Sequence, residues 1–156
     1  MQETKGAVGV ELRGVHHVGV PVRSLERSLA WFRDAFGIEP ELVVESEGPE
    51  TSAAVQLEGA RIGAAFLDIG NTIIELLEYR EPVGEDFRLR NCDVGAVHIA
   101  LEVASIHDAH ERLRELGAAF SVPPTRIEDA PLEGHWFCYF RDPNGIQYEL
   151  FQRPQP

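Results

Sequence analysis

The chain has 156 residues, 44% hydrophobic and 26% charged, with 14 Gly and 10 Pro, which suits one globular domain and excludes a large multidomain enzyme or a disordered chain. Asp and Glu number 26 against 14 Lys and Arg, a formal charge of −12, so nucleic acid and anionic membrane surfaces are excluded as partners. Two cysteines, Cys92 and Cys138, are too few for a disulfide framework, and no leader-like start or apolar run of ~18 residues is present, so the expectation is a reduced, cytoplasmic protein.

The chain repeats itself. His17-Val-Gly-Val-Pro-Val-Arg-Ser24 lies over His98-Ile-Ala-Leu-Glu-Val-Ala-Ser105, and Phe66-Leu-Asp68 through Glu75-Leu-Leu77 lies over Phe140-Arg-Asp142 through Glu149-Leu-Phe151, with Phe, Asp, Glu and Leu in register. Each repeat begins with a His on a short strand. In the first, Leu25, Leu29, Phe32 and Phe36 recur at helical spacing after Ser24, a natural N-cap, and Gly37 stops the helix. In the second, Ser105 caps a stripe of Ile106, Ala109, Leu113 and Leu116, and Gly117 ends it. The pattern predicts an α+β fold of two tandem βαβββ modules, about 13–82 and 94–153, forming one domain over 1–156 and joined by the polar stretch Glu85 to Asp93.

Strand parity then assigns faces. Val18, Val20 and Val22 point toward the helix, and His17, Gly19 and Pro21 point away; Ile99, Leu101 and Val103 oppose His98, Ala100 and Glu102 in the same way. Both histidines thus stand beside small residues that leave room for a ligand. Glu75 and Glu149 sit among apolar strand residues, where a carboxylate is unfavourable unless paired or bound to a cation. Two imidazoles and two carboxylates related by the repeat would meet at its pseudo-twofold axis. Such a set suits one divalent metal, Fe, Co, Ni, Mn or Zn, better than a closed structural zinc site, which favours thiolates.

These segments resemble the vicinal oxygen chelate superfamily, which includes glyoxalase I, methylmalonyl-CoA epimerase, extradiol dioxygenases and fosfomycin-resistance proteins. The resemblance is carried by Val15-His-His17-Val-Gly-Val, Gly70-Asn-Thr-Ile-Ile-Glu75-Leu-Leu-Glu, Val97-His98-Ile-Ala-Leu-Glu-Val and Phe140-Arg-Asp-Pro-Asn-Gly-Ile-Gln-Tyr-Glu149-Leu, and it covers about residues 13–152. It implies the glyoxalase/bleomycin resistance/dioxygenase fold, a cupped mixed sheet around a metal held by His17, Glu75, His98 and Glu149, and a homodimer acting on a small molecule. A carboxylate at position 75 resembles the glyoxalase and epimerase branch: a metal-dependent lyase or isomerase that abstracts a proton next to a carbonyl, with Glu149 as the base. An extradiol-type dioxygenase, or a drug- or metabolite-binding resistance protein, is the alternative the same fold allows. The epimerase likeness departs at Asp142-Pro-Asn-Gly and at Ala64-Ala65, where some epimerases place a second Glu; the glyoxalase likeness lacks an Arg just after the first His.

Four further histidines and two cysteines complete the inventory. His135 shares strand parity with Phe137 and Tyr139, which marks His135 and Tyr139 as candidate substrate contacts. His16 has the opposite parity to His17 and is expected to face the helix layer or an interface. His107 and His110 share a helix face and read as solvated. Neither cysteine has the adjacent basic group that would make it a nucleophile.

Overall fold

Ser24 begins the first helix as its sequence predicts. In a computed structural model that describes residues 10–86 and 89–155, its side chain accepts a hydrogen bond from Arg27 N over 3.3 Å, and α1 (Leu25–Phe36) runs to Gly37, whose φ of 69° is the left-handed conformation glycine adopts without strain. The second helix, α3 (Ile106–Glu115), starts on Ser105, which accepts from Asp108 N. It ends one residue earlier than expected: Leu116 is the cap and Gly117, at φ 86°, follows it. Residues 1–9, where a leader would lie, and Phe87 and Arg88 of the polar connection fall outside the described residues.

Each half builds its own sheet. The first comprises β1 (His17–Pro21), β2 (Leu42–Glu47), β3 (Arg61–Asp68) and β4 (Ile73–Glu81) in the order β1-β4-β3-β2, with β1 parallel to β4. The second comprises β5 (Ile99–Glu102), β6 (Ala119–Phe120), β8 (Trp136–Arg141) and β9 (Gln147–Gln152) in the order β5-β9-β8-β6, with β7 (Thr125–Arg126) also pairing with β8. The structure is the expected mixed α+β fold, its strands divided between two sheets. A short helix, α2 (Pro49–Val55), precedes β3 and buries no residue, so it carries no apolar stripe by which to recognise it.

The two sheets share one core. Val20, Leu25, Ala65, Leu67, Ile74 and Leu76 of the first half pack in the same buried group as Ile106, Leu113, Cys138, Phe140, Tyr148 and Leu150 of the second. Trp31 and Phe32 of α1 form the joint: Trp31 lies 6.4 Å from the ring of Phe140 and 6.3 Å from that of Tyr148, and Phe32 lies 6.3 Å from Tyr148. Polar contacts cross at the same place, where Asn144 donates to Ser28 Oγ and Arg112 to Asp34 O. Because both sheets turn their helix-side faces into this core, both opposite faces turn outward.

Matching last-strand residues lock each helix onto its sheet. Glu78 Oε2 accepts from Leu25 N at 2.9 Å, and Gln152 Oε1 accepts from Ile106 N at 2.7 Å. Each satisfies a helix N–H that has no partner within its own helix.

Candidate active site

The outward face of the first sheet carries His17, Gly19, Phe66 and Glu75. Strand pairing sets Gly19 and Phe66 on either side of Glu75, and a Cβ on Gly19 would lie in ordinary contact with Leu77 Cδ1 at 3.4 Å and Glu75 Oε2 at 3.7 Å. His17 Nε2 lies 3.3 Å from Glu75 Oε2. His16 does not turn into the helix layer. It is exposed, and its Nδ1 meets the Nδ1 of His17 at 2.8 Å, one ring donating and the other accepting, which leaves His17 Nε2 for Glu75.

The second outward face repeats the arrangement with different neighbours. His98 Nε2 lies 2.9 Å from Glu149 Oε2, and the Glu149 side chain is 12% exposed against 17% for Glu75. Ala100 and Tyr139 flank Glu149 in register. The Tyr139 ring stands edge-on to His98 at 5.1 Å, and burial first, then the charge of Glu149, raise its hydroxyl pKa. His135 lies further along the same face, its Nδ1 2.9 Å from Leu132 O and its ring 5.2 Å from Phe151.

The structure therefore brings the four predicted ligands together as two His–Glu pairs. Among the described residues, no three His, Cys, Asp or Glu side chains gather so as to hold a metal ion. The reason is the outward turn of both faces about a shared core, which strand parity alone does not reveal. The chemistry of each pair nonetheless fits half of a divalent-metal site, with one imidazole and one carboxylate, each His side chain about 40% exposed and reachable.

Other placements differ from the sequence reading. Phe66 faces outward across from Glu75, whereas Phe140 pairs with Tyr148 and is buried in the core. The repeats are thus offset by one residue between β3 and β8, and the true counterparts are Phe66 with Tyr139 and Asp68 with Arg141. Asp142 is buried and accepts from the N–H groups of Asn144 and Ile146, and burial raises its pKa. His107 and His110 are not merely solvated. Their rings meet Trp136 at 5.0 Å and Phe120 at 4.3 Å, and desolvation lowers the pKa of His110. Burial pushes the Cys138 thiol up to about 11, which removes it as a nucleophile.

Residues 14–150 match the Glyoxalase/Bleomycin resistance protein/Dioxygenase superfamily. The chain belongs to this superfamily. It is 33% identical to a 2-epi-5-epi-valiolone epimerase from Actinomyces sp. over 145 residues, 90% of this chain and 79% of that protein. It is 32% identical to an ethylmalonyl-CoA/methylmalonyl-CoA epimerase from Cereibacter sphaeroides over 146 residues, 88% of this chain and 96% of that one. A glyoxalase family protein from Bacillus cereus has the same fold, with a TM-score of 0.78 at 22% identity over 95% of this chain and 99% of that one. Among the described residues, no helix is long and apolar enough to cross a membrane.

Proposed function

We propose that the protein is an isomerase of the epimerase type that removes and returns a proton on a carbon next to a carbonyl, with Glu149 as the proton acceptor. The observation that carries this reading is the His98–Glu149 pair at 2.9 Å, a nearly buried carboxylate facing outward beside Tyr139. The two epimerase relatives favour proton transfer over oxygen activation. A divalent metal, when bound, polarises the carbonyl oxygen and stabilises the negative charge that develops as the proton leaves. His17, Glu75, His98 and Glu149 are the residues that would hold it.

The working form is a homodimer in which the first pair of one chain and the second pair of its partner make up the ligand set. Support comes from the core, which Trp31, Phe140 and Tyr148 fill from the helix side, so each outward face awaits a cover. Glu149 takes the proton; Tyr139 and His135 orient the substrate beside it.

Two measurements test this. Deuterium wash-in followed by NMR, on acyl-CoA thioesters and cyclic polyhydroxy ketones, should show exchange next to the carbonyl that falls by roughly 10²–10⁴-fold in Glu149→Gln. Undiminished exchange in that variant rejects the assignment of the base. For the shared site, His17→Ala and His98→Ala chains should each lose metal, yet mixing them should restore one intact site per mixed dimer. No recovery on mixing would place the ligand set within a single chain.

A further inference from the structure

Several exposed arginines of this chain reach carboxylates, as Arg61 does Glu81, Arg80 does Glu45 and Arg126 does Glu128. Arg141 differs. Among the described arginines it alone is not exposed. Its hydrogen bonds all go to neutral acceptors: Nη1 donates to Gly145 O at 2.9 Å, and Nη2 donates to Leu89 O at 3.0 Å and to Gln147 Oε1 at 2.7 Å. Among the described residues no carboxylate forms an ion pair with it.

A half-buried guanidinium loses hydration that carbonyl dipoles only partly replace, and an opposite charge is its usual complement. Scarcity of acids is not the explanation in a chain of net charge −12. Nor does the repeat require a cation here, since the counterpart in the first half is Asp68. Three of the five guanidinium N–H groups are engaged, which leaves one on Nε and one on Nη1. The three bonds hold the group in place, so little side-chain freedom is left to lose when an anion binds.

Arg141 pairs with Gln147 in the register that pairs Tyr139 with Glu149. Arg141 therefore occupies the same outward face, two residues or ~7 Å along the strand from Tyr139. We infer that Arg141 is the docking cation for an anionic group, a carboxylate or a phosphate, on the substrate whose proton Glu149 removes. The inference rests on the proposed proton transfer for the word substrate, but the anion site stands or falls by itself. It narrows the class to carbonyl compounds that carry a carboxylate or phosphate near the reacting carbon.

The test is binding to the full-length protein of malonate, inorganic phosphate and uncharged malonamide, read by thermal unfolding and by the NMR resonance of the Arg141 Nε–H. Malonate or phosphate should raise the melting temperature saturably and move that resonance, while malonamide does neither. The stronger of the two anions identifies the substrate group. Arg141→Met should weaken the anion by about tenfold to a hundredfold, and Arg141→Lys, which keeps the charge but not the fork, should retain part of the affinity. His98→Ala should bind the anion as the wild type does, which separates this site from a metal-held anion. Equal anion affinity in wild type and Arg141→Met, or no response to either anion in wild type, overturns the inference and leaves Arg141 as a tie to Leu89. Anion binding without proton exchange would leave Arg141 standing and reject the function proposed for Glu149; exchange without anion binding would do the reverse.

Discussion

The two halves of the chain share their candidate ligands and differ in what surrounds them. Each presents one His and one Glu on an outward face, but Glu75 lies between Gly19 and Phe66, and Glu149 between Ala100 and Tyr139. Two residues further along, the first half has Asp68 and the second Arg141. An apolar ring beside one carboxylate and a hydroxyl beside the other give two chemically distinct half-sites on equivalent backbones. The repeat keeps the same donor atoms in both halves while the flanking positions differ, which is the arrangement the proposed division between a holding half and a reacting half requires. That asymmetry is a second reason to place the proposed proton transfer at Glu149 and not at Glu75.

The one-residue offset between the halves is the sharpest way to test this comparison. Phe140 fills the core and Phe66 sits on the outward face, although the two look equivalent in sequence. Phe140→Ala should lower stability by about 3–5 kcal/mol in urea unfolding. Phe66→Ala, with a half-buried ring and no enclosed cavity to leave behind, should lose about 1 kcal/mol. Equal losses would restore the naive register and erase the Phe66–Tyr139 correspondence.

A smaller effect is expected from the flanking hydroxyl. Tyr139→Phe makes the second half resemble the first, and removing a hydrogen bond to charge developing on the substrate should slow exchange by about tenfold to a hundredfold. Metal content should not change. A variant that loses metal as well as rate would make Tyr139 part of the His98 support and not a substrate contact.

The smallest expected effect concerns the turn into β9. Asp142 is buried where its sequence look-alike Asp68 is exposed, and burial raises its folded pKa above the ordinary 3.8. The native chain then keeps a proton that the unfolded chain has released. Its contribution is complete below 3.8 and is lost as pH rises from there through the raised folded value, at less than about 1.4 kcal/mol per pH unit. Asp142→Asn should flatten that part of the stability profile. An unchanged slope in Asp142→Asn would assign it to other groups.

Features encoded within a few residues were legible from sequence. Ser24, Gly37 and Ser105 announce the helix ends because capping is a local bond between a side chain and the next turn. Alternation placed Val20 and Val22 inside and His17 outside because a strand has a period of two. What was not legible depends on distant packing. No local pattern states that Trp31 will lie against Tyr148, and that contact is what turns the His–Glu pairs outward and keeps them apart. The register between halves is hidden in the sequence because a coincidental Phe-x-Asp in both repeats masks a turn one residue longer in the second. Arg141 carries no local signal, since only the fold shows that none of the described carboxylates forms an ion pair with it.

Glu78 and Gln152 have a consequence for how such a chain can drift over generations. Each lies three residues beyond its half's candidate ligand, Glu75 or Glu149, on the same strand and facing the other way, with its oxygen on the first N–H of the helix. Gaining or losing one residue within that short interval would either free the helix start or flip the candidate ligand into the core, since the two could no longer face opposite ways. In this chain a length change inside either four-residue window breaks that pairing of roles, whereas one in a connection between strands leaves both side chains facing as they do.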